Sequence, residues 1–143
     1  MTSTEILMNI KSAPTGRLCV LDDVKAKRFR AKTMYIPSVG DVLKVVRTIP
    51  KGEVRTGVEV RRVLAKLGKA DTACPYVTLK YWKWLAALSE EASVPRKYLV
   101  AWWRVLPGGK PSRRVPGGVT AHVAYLKREK VELSFEDIKL RPR

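Results

Sequence analysis

Side chains able to do covalent or proton chemistry are few in this sequence. Cys19 and Cys74 are the only thiols, and His122 is the only imidazole. Two cysteines and one histidine offer no zinc-ligand spacing, so no metal site is expected. "ACPY" puts Cys74 just before a helix-initiating Pro75. A thiolate at a helix start is favoured by the N-terminal dipole, which makes Cys74 a remote candidate nucleophile. The plainer reading of Cys74 is a small capping or buried residue. Asp22/Asp23 and Glu90/Glu91 are neighbours in sequence, not carboxylates paired on one face for acid/base work. Gly108-Gly109 and Gly117-Gly118 lack a phosphate-loop pattern and read as turns. His122 is expected to be a surface or half-buried polar residue. No hydrolase or nucleotide-binding motif is present, and no cofactor is expected.

The other residues with chemical potential are cations and aromatics. "AWWRVL" places Trp102 and Trp103 before Arg104, and a Gly/Pro-rich loop with Lys110, Arg113 and Arg114 follows. The chain of 143 residues carries 29 Lys/Arg against 13 Asp/Glu, a net charge of +16. Such an excess repels itself in a compact fold and points to a polyanionic partner, nucleic acid first and an anionic membrane surface second. A hydrophobic share of 45% suits a folded domain. No apolar run reaches membrane-spanning length and no signal-peptide pattern is seen. With two cysteines, a reduced, cytoplasmic setting is expected. There is no Gln, and Asn9 is the only Asn. Scarce amides fit a thermophilic source and remove the usual bidentate readers of adenine, so shape and backbone are the expected targets.

The elements that must position these residues follow from periodicity and punctuation. Residues 1–16 read as a loose arm. "LCVLDDVKAKRFRAKTMYI" reads as extended and basic, with Lys25, Lys27, Arg28, Arg30 and Lys32 in close succession. That run suits a solvated strand or linker as well as a phosphate contact. Val42, Val45, Val46 and Ile49 fall at helical spacing. "TGVE" has the capping-box form, Thr56 with Glu59, and opens a helix with the stripe Val60, Val63, Leu64 and Leu67 that ends at Gly68. Thr72 or Cys74 then caps a further helix with Pro75 in its first turn. Its stripe is Val77, Tyr81, Trp84, Leu85 and Leu88, and Tyr76, Lys80 and Lys83 lie opposite. Two short helices joined by a tight turn, the second basic outside, suit a helix-turn-helix. An ordinary antiparallel pair with a solvated lysine face has the same pattern. "YLVAWWRVL" reads as a strand, and strand alternation would turn Trp102 and Trp103 to opposite sides. "VTAHVAYLKREK" is a last helix with Val119, Val123 and Leu126 inward.

Three segments together resemble a known family. "VVRTIPKGEVRT" is similar to the start of the DNA-binding domain of alkylguanine-DNA alkyltransferases. "AWWRVL" stands where those enzymes carry a Pro-Cys-His-Arg-Val motif, and "VPGGVTAHVAYLKREKVEL" resembles their closing Gly-Gly and helical segment. Ile49, Pro50, Gly52, Glu53, Thr56, Arg104 and Val105 match. The likeness spans residues 37–133 and implies a winged helix-turn-helix that binds DNA from the minor groove and rotates an alkylated guanine into a pocket. Trp102 stands at the alkyl-acceptor cysteine and Trp103 at the activating histidine. An indole neither offers a thiolate nor shuttles protons, so alkyl transfer is not expected there. The alkyltransferase-like branch also lacks the cysteine; its members bind alkylated DNA and mark it for other repair proteins. Gly57 replaces the family's phosphate-turning tyrosine, and "CPYVTLK" replaces the segment with the inserting arginine. Tyr76 lies near that arginine's place and could stack or insert.

The expected fold class is therefore α/β, mostly α. Its parts are an N-terminal arm and extended/β segment (1–36), a winged helix-turn-helix of alkyltransferase-like type (37–133) and a tail (134–143). The expected function is non-catalytic binding of double-stranded DNA, with alkylated-guanine recognition for repair partners. The alternatives are a sequence-tolerant nucleoid protein and an alkyl-accepting protein using Cys74. Expected DNA contacts are Thr56, Tyr76, Thr78, Lys80, Lys83, Arg104, Lys110, Arg113 and Arg114, around a pocket of Trp102, Trp103 and Val105.

Overall fold

A computed structural model describes residues 2–13 and 15–132; the expected tail, 134–143, lies outside them. The protein is mixed α/β and mostly helical. Helix α1 (Ser3–Ser12) opens it, where a loose arm was expected. The Thr2 hydroxyl caps α1 by accepting from the Glu5 N–H, and Ile6 is buried against the core with Leu7 and Ile10 packed beside it. One apolar turn docked on α3 and α5 supplies what weak periodicity did not advertise.

The expected extended stretch is a strand, a helix and a second strand. β1 (Arg17–Val20) pairs antiparallel with β2 (Thr33–Ile36), Arg17 opposite Ile36 and Val20 opposite Thr33. Between them Asp22 accepts from the Lys25 N–H and caps α2 (Asp23–Phe29). Ser38 and Asp41 form a capping box at the start of α3 (Val39–Arg47). The Asp41 carboxylate is buried yet satisfied, accepting from the Gly16 N–H, the Tyr35 hydroxyl and the Ser38 N–H at 2.8, 2.6 and 3.0 Å. Val42 and Val46 of α3 are fully buried, as their spacing predicts.

β3 (Arg55–Thr56) leads into α4 (Gly57–Leu67), where Thr56 and Glu59 make the expected capping box. Hydrogen bonds from Thr56, the backbone N–H first, hold the Glu59 carboxyl below its ordinary range. The inward face of α4 is Gly57, Val60, Leu64 and Ala65; Val63 and Leu67 of the expected stripe are half exposed. Gly68 is the C-cap of α4 at φ −87°, and a Cβ there would lie 2.1 Å from the Tyr35 ring, so only glycine lets the ring pack against this end. β4 (Thr72–Ala73) pairs parallel with β2, giving a sheet in the order β1-β2-β4.

α5 (Pro75–Ser89) starts with Pro75 after Cys74, which makes no side-chain cap bond. Its buried face is Thr78, Trp82, Leu85, Ala86 and Leu88, so the helix is rotated from the expected stripe and Trp82 enters the core in place of Trp84. "YLVAWWRVL" is not one strand. Two 3-10 turns, Arg96–Tyr98 and Trp102–Arg104, precede β5 (Val105–Leu106), which pairs parallel with β3. The Arg47 guanidinium donates to the Arg96 and Leu99 carbonyls at 2.8 and 3.0 Å, tying the end of α3 to the first turn. Residues 107–117 contain no strand, and α6 (Gly118–Arg128) follows from Gly117 at φ +79°.

Candidate nucleic-acid interface

The tryptophan pair is core, not pocket. Trp102 is fully buried and edge-on to Trp82, Trp103, His122 and Tyr125, with centroids 5.2–6.4 Å apart. Trp103 stacks on Tyr125 at 4.4 Å with 10° between planes. Each such contact contributes about 0.5–1.5 kcal/mol beyond burial. Trp82 donates its indole N–H to the Trp102 carbonyl at 3.0 Å. The 3-10 turn lets two successive indoles enter one cluster, which strand alternation would forbid. Trp102 itself is sealed among these rings, at 0% exposure.

His122 is fully buried, contrary to expectation. Its Nδ1 accepts the Ser112 N–H at 3.0 Å. The proton therefore sits on Nε2, which donates to the Trp103 carbonyl at 2.9 Å. One side chain thus fastens segment 107–117 to the tryptophan turn.

Arg104 is also placed differently from expectation. Its guanidinium grips the Glu129 carboxylate with Nε at 3.0 Å and Nη2 at 2.7 Å, and Nη1 donates to the Ile49 carbonyl at 2.9 Å. The Arg104 and Glu129 side chains are only 17% and 8% exposed. Arg104 joins the ends of α3 and α6 to the tryptophan turn and spends three of its five N–H donors inside the fold. Its bonds hold the Glu129 carboxyl below the ordinary range despite burial, with smaller help from the Gly52 N–H and the Trp103 indole. That indole N–H is buried and meets no acceptor at full hydrogen-bond geometry. Thr78 is buried as well and donates its hydroxyl to the Cys74 carbonyl at 2.7 Å. Thr56 is occupied as the α4 cap. Cys74 is 8% exposed, sealed at the start of α5.

The remaining candidates lie outside. Tyr76, Lys80 and Lys83 follow one another at i, i+4 and i+7 on α5, opposite its buried face. Lys80 lies over the Tyr81 and Trp84 rings at 5.2 and 5.3 Å. An apolar cavity of about 210 Å³ opens between the starts of α4 and α5. Gly57, Val60, Leu79, Trp82, Val105 and Pro107 wall it, with Arg61 and the 61%-exposed Tyr76 at its edge. Gly57 is obligatory there, since a Cβ would lie 2.5 Å from the Pro107 carbonyl oxygen; no tyrosine fits this position. Of the expected pocket residues only Val105 lines the cavity. Pro107 also borders a hollow of about 240 Å³ lined by Lys110, Arg113 and Arg114. Among the described residues the ion pairs are Arg55–Glu53 and Arg104–Glu129, so the cations of α5 and of this loop are not neutralised by carboxylates.

Sequence reasoning missed Arg61, Leu79 and Pro107 as cavity residues, because segments far apart in the chain meet there. Among the described residues no three His, Cys, Asp or Glu side chains converge as a metal site, and no helix is long and apolar enough to cross a membrane. Comparison with protein-family models, curated proteins and solved structures yields no match.

Proposed function

We propose that this chain binds duplex DNA without catalysis, as a winged helix-turn-helix of alkyltransferase-like type. In this reading α4 and α5 are the helix pair, α5 is the recognition helix, and segment 107–117 is the wing. One observation carries it. Tyr76 of α5 edges the apolar cavity walled by Pro107, Pro107 also borders the hollow lined by Lys110, Arg113 and Arg114, and no carboxylate pairs the cations of α5 or of this loop. Cations on both sides suit a phosphate backbone, and an apolar gap between them suits a planar base or an alkyl group. An alkylated guanine turned out of the stack would enter between α4 and α5, against Leu79 and Val105, with Tyr76 stacking at the edge. The filled tryptophan cluster takes no part in that step. Repair proteins would then read the marked site, in the cytoplasm at the nucleoid. The near absence of Asn and Gln favours a second reading, a sequence-tolerant nucleoid protein using the same face.

Anisotropy titrations of duplexes with and without O-alkylguanine, at several salt concentrations, separate these readings. Contacts by Lys80, Lys83, Lys110, Arg113 and Arg114 contribute about −4.5 to the log–log salt slope, at about 0.9 per phosphate. A preference for the alkylated duplex that Tyr76→Ala removes supports lesion recognition. Equal affinities leave the nucleoid reading, and no binding at low salt overturns both.

A further inference from the structure

Helix α2, which connects β1 to β2, places no residue in the buried core. It spans seven residues and buries none of them, and a helix that short is unstable in water without support. Asp22 caps it, Ala26 and Phe29 are half buried, and Arg28 Nη2 donates to the Tyr76 hydroxyl at 2.7 Å. Tyr76 is in the first turn of α5 and edges the cavity. Lys25 is one turn before Arg28 and shares its face. From Asp22 to Lys32 five cations stand against two carboxylates. Among the described residues none of these cations forms an ion pair.

Attraction to the helix C-terminus accounts for Lys27 and Arg28 in the last turn. It does not account for Lys25, which is in the first turn, or for Lys32, which is beyond the helix. Arg30 ends α2 at φ +52°, a left-handed position that glycine takes without strain. Arg30 thus adds a further exposed cation directly beyond the helix.

We propose that α2 is a second phosphate-binding element, using Lys25, Lys27, Arg28 and Arg30 to extend the α5 contact along the duplex. It rests on the DNA-binding reading above. The occupant follows from charge and continuity, because the Arg28–Tyr76 bond joins this basic surface to the recognition helix. The strand that α5 engages runs on past Tyr76 onto α2.

The test compares the wild type with three variants by salt-dependent duplex binding and hydroxyl-radical footprinting, with circular dichroism confirming the fold. The first variant is Lys25→Ala/Lys27→Ala/Arg30→Ala, all at exposed positions. The second, Lys11→Ala/Lys44→Ala/Lys97→Ala, removes equal charge from exposed positions elsewhere. The third is Lys80→Ala/Lys83→Ala. The α2 variant is expected to lose about 2–3 from the salt slope, at about 0.9 per phosphate contact, and to shorten the footprint on one side. The charge-matched variant keeps the wild-type footprint. If the α2 variant loses no more affinity than the charge-matched one and keeps the full footprint, while Lys80→Ala/Lys83→Ala weakens binding, α2 is a solvated face and the DNA-binding reading stands. If the wild type binds no duplex at all, both readings fall.

Discussion

Replacing Arg104 with methionine separates a structural guanidinium from a DNA-contacting one. Arg104 makes two bonds to Glu129 and one to the Ile49 carbonyl. Its loss leaves a nearly buried carboxylate and a carbonyl without their donor. Breaking a buried ion pair from one side costs about 3–5 kcal/mol. The Arg104 side chain is 17% exposed, so water reaches the site in part and the low end, about 3 kcal/mol, is expected. For a chain of this size that is a fall in Tm of about 10 °C. The pH dependence has a definite sign. Glu129 is held below its ordinary value, chiefly by Arg104. In the wild type its contribution is complete above the unfolded value, about 4.3, and is lost as pH falls through the folded one. In Arg104→Met the chief lowering influence is gone and burial, which raises the carboxyl, is opposed only by the smaller Gly52 and Trp103 contributions, so the deficit is largest near neutrality and narrows in acid. Thermal melts from pH 3.5 to 7.5, with duplex titrations of the same variant, test both halves. A melting point within a degree or two of wild type, with the salt slope reduced by about 1, would refute the structural role and restore Arg104 as a phosphate contact.

Two further perturbations follow from the same geometry. His122→Phe keeps the ring but strands the Ser112 N–H and the Trp103 carbonyl, at about 1–3 kcal/mol for each unsatisfied group. Denaturant unfolding should show a loss of about 2–6 kcal/mol, and proteolysis should begin in residues 107–117; unchanged stability contradicts the anchoring role. Arg30, Lys69 and Lys130 all occupy left-handed positions at helix ends, at φ +52°, +53° and +60°. Lys69→Gly should stabilise the fold by about 0.5–1 kcal/mol, the relief of strain less the entropy of glycine in the unfolded chain. A lower Tm in that variant contradicts it.

What the sequence determined about this protein is local. Thr56 with Glu59, Pro75 and Gly68 marked the limits of α4 and α5 because caps and breakers act within a turn or two of themselves. The Val42/Val46 spacing placed α3, and the excess of cations needs no structure to be read. Thr2 and Glu5 are also three apart, a cap signal for α1 that is legible in the sequence. Tertiary structure decided which face of each amphipathic element turned inward, because burial depends on what arrives opposite. Trp82 displaced Trp84, while Val63 and Leu67 were left outside. It also decided the fate of the chemically suggestive residues. Trp102, Trp103 and Arg104 look like site residues in the chain, and His122 like a surface or half-buried polar one. Their partners, Tyr125, Ser112, Ile49 and Glu129, come from distant segments and make them the core's polar and aromatic framework. The cavity lies instead where α4, α5 and Pro107 meet, a juxtaposition that no local signal encodes.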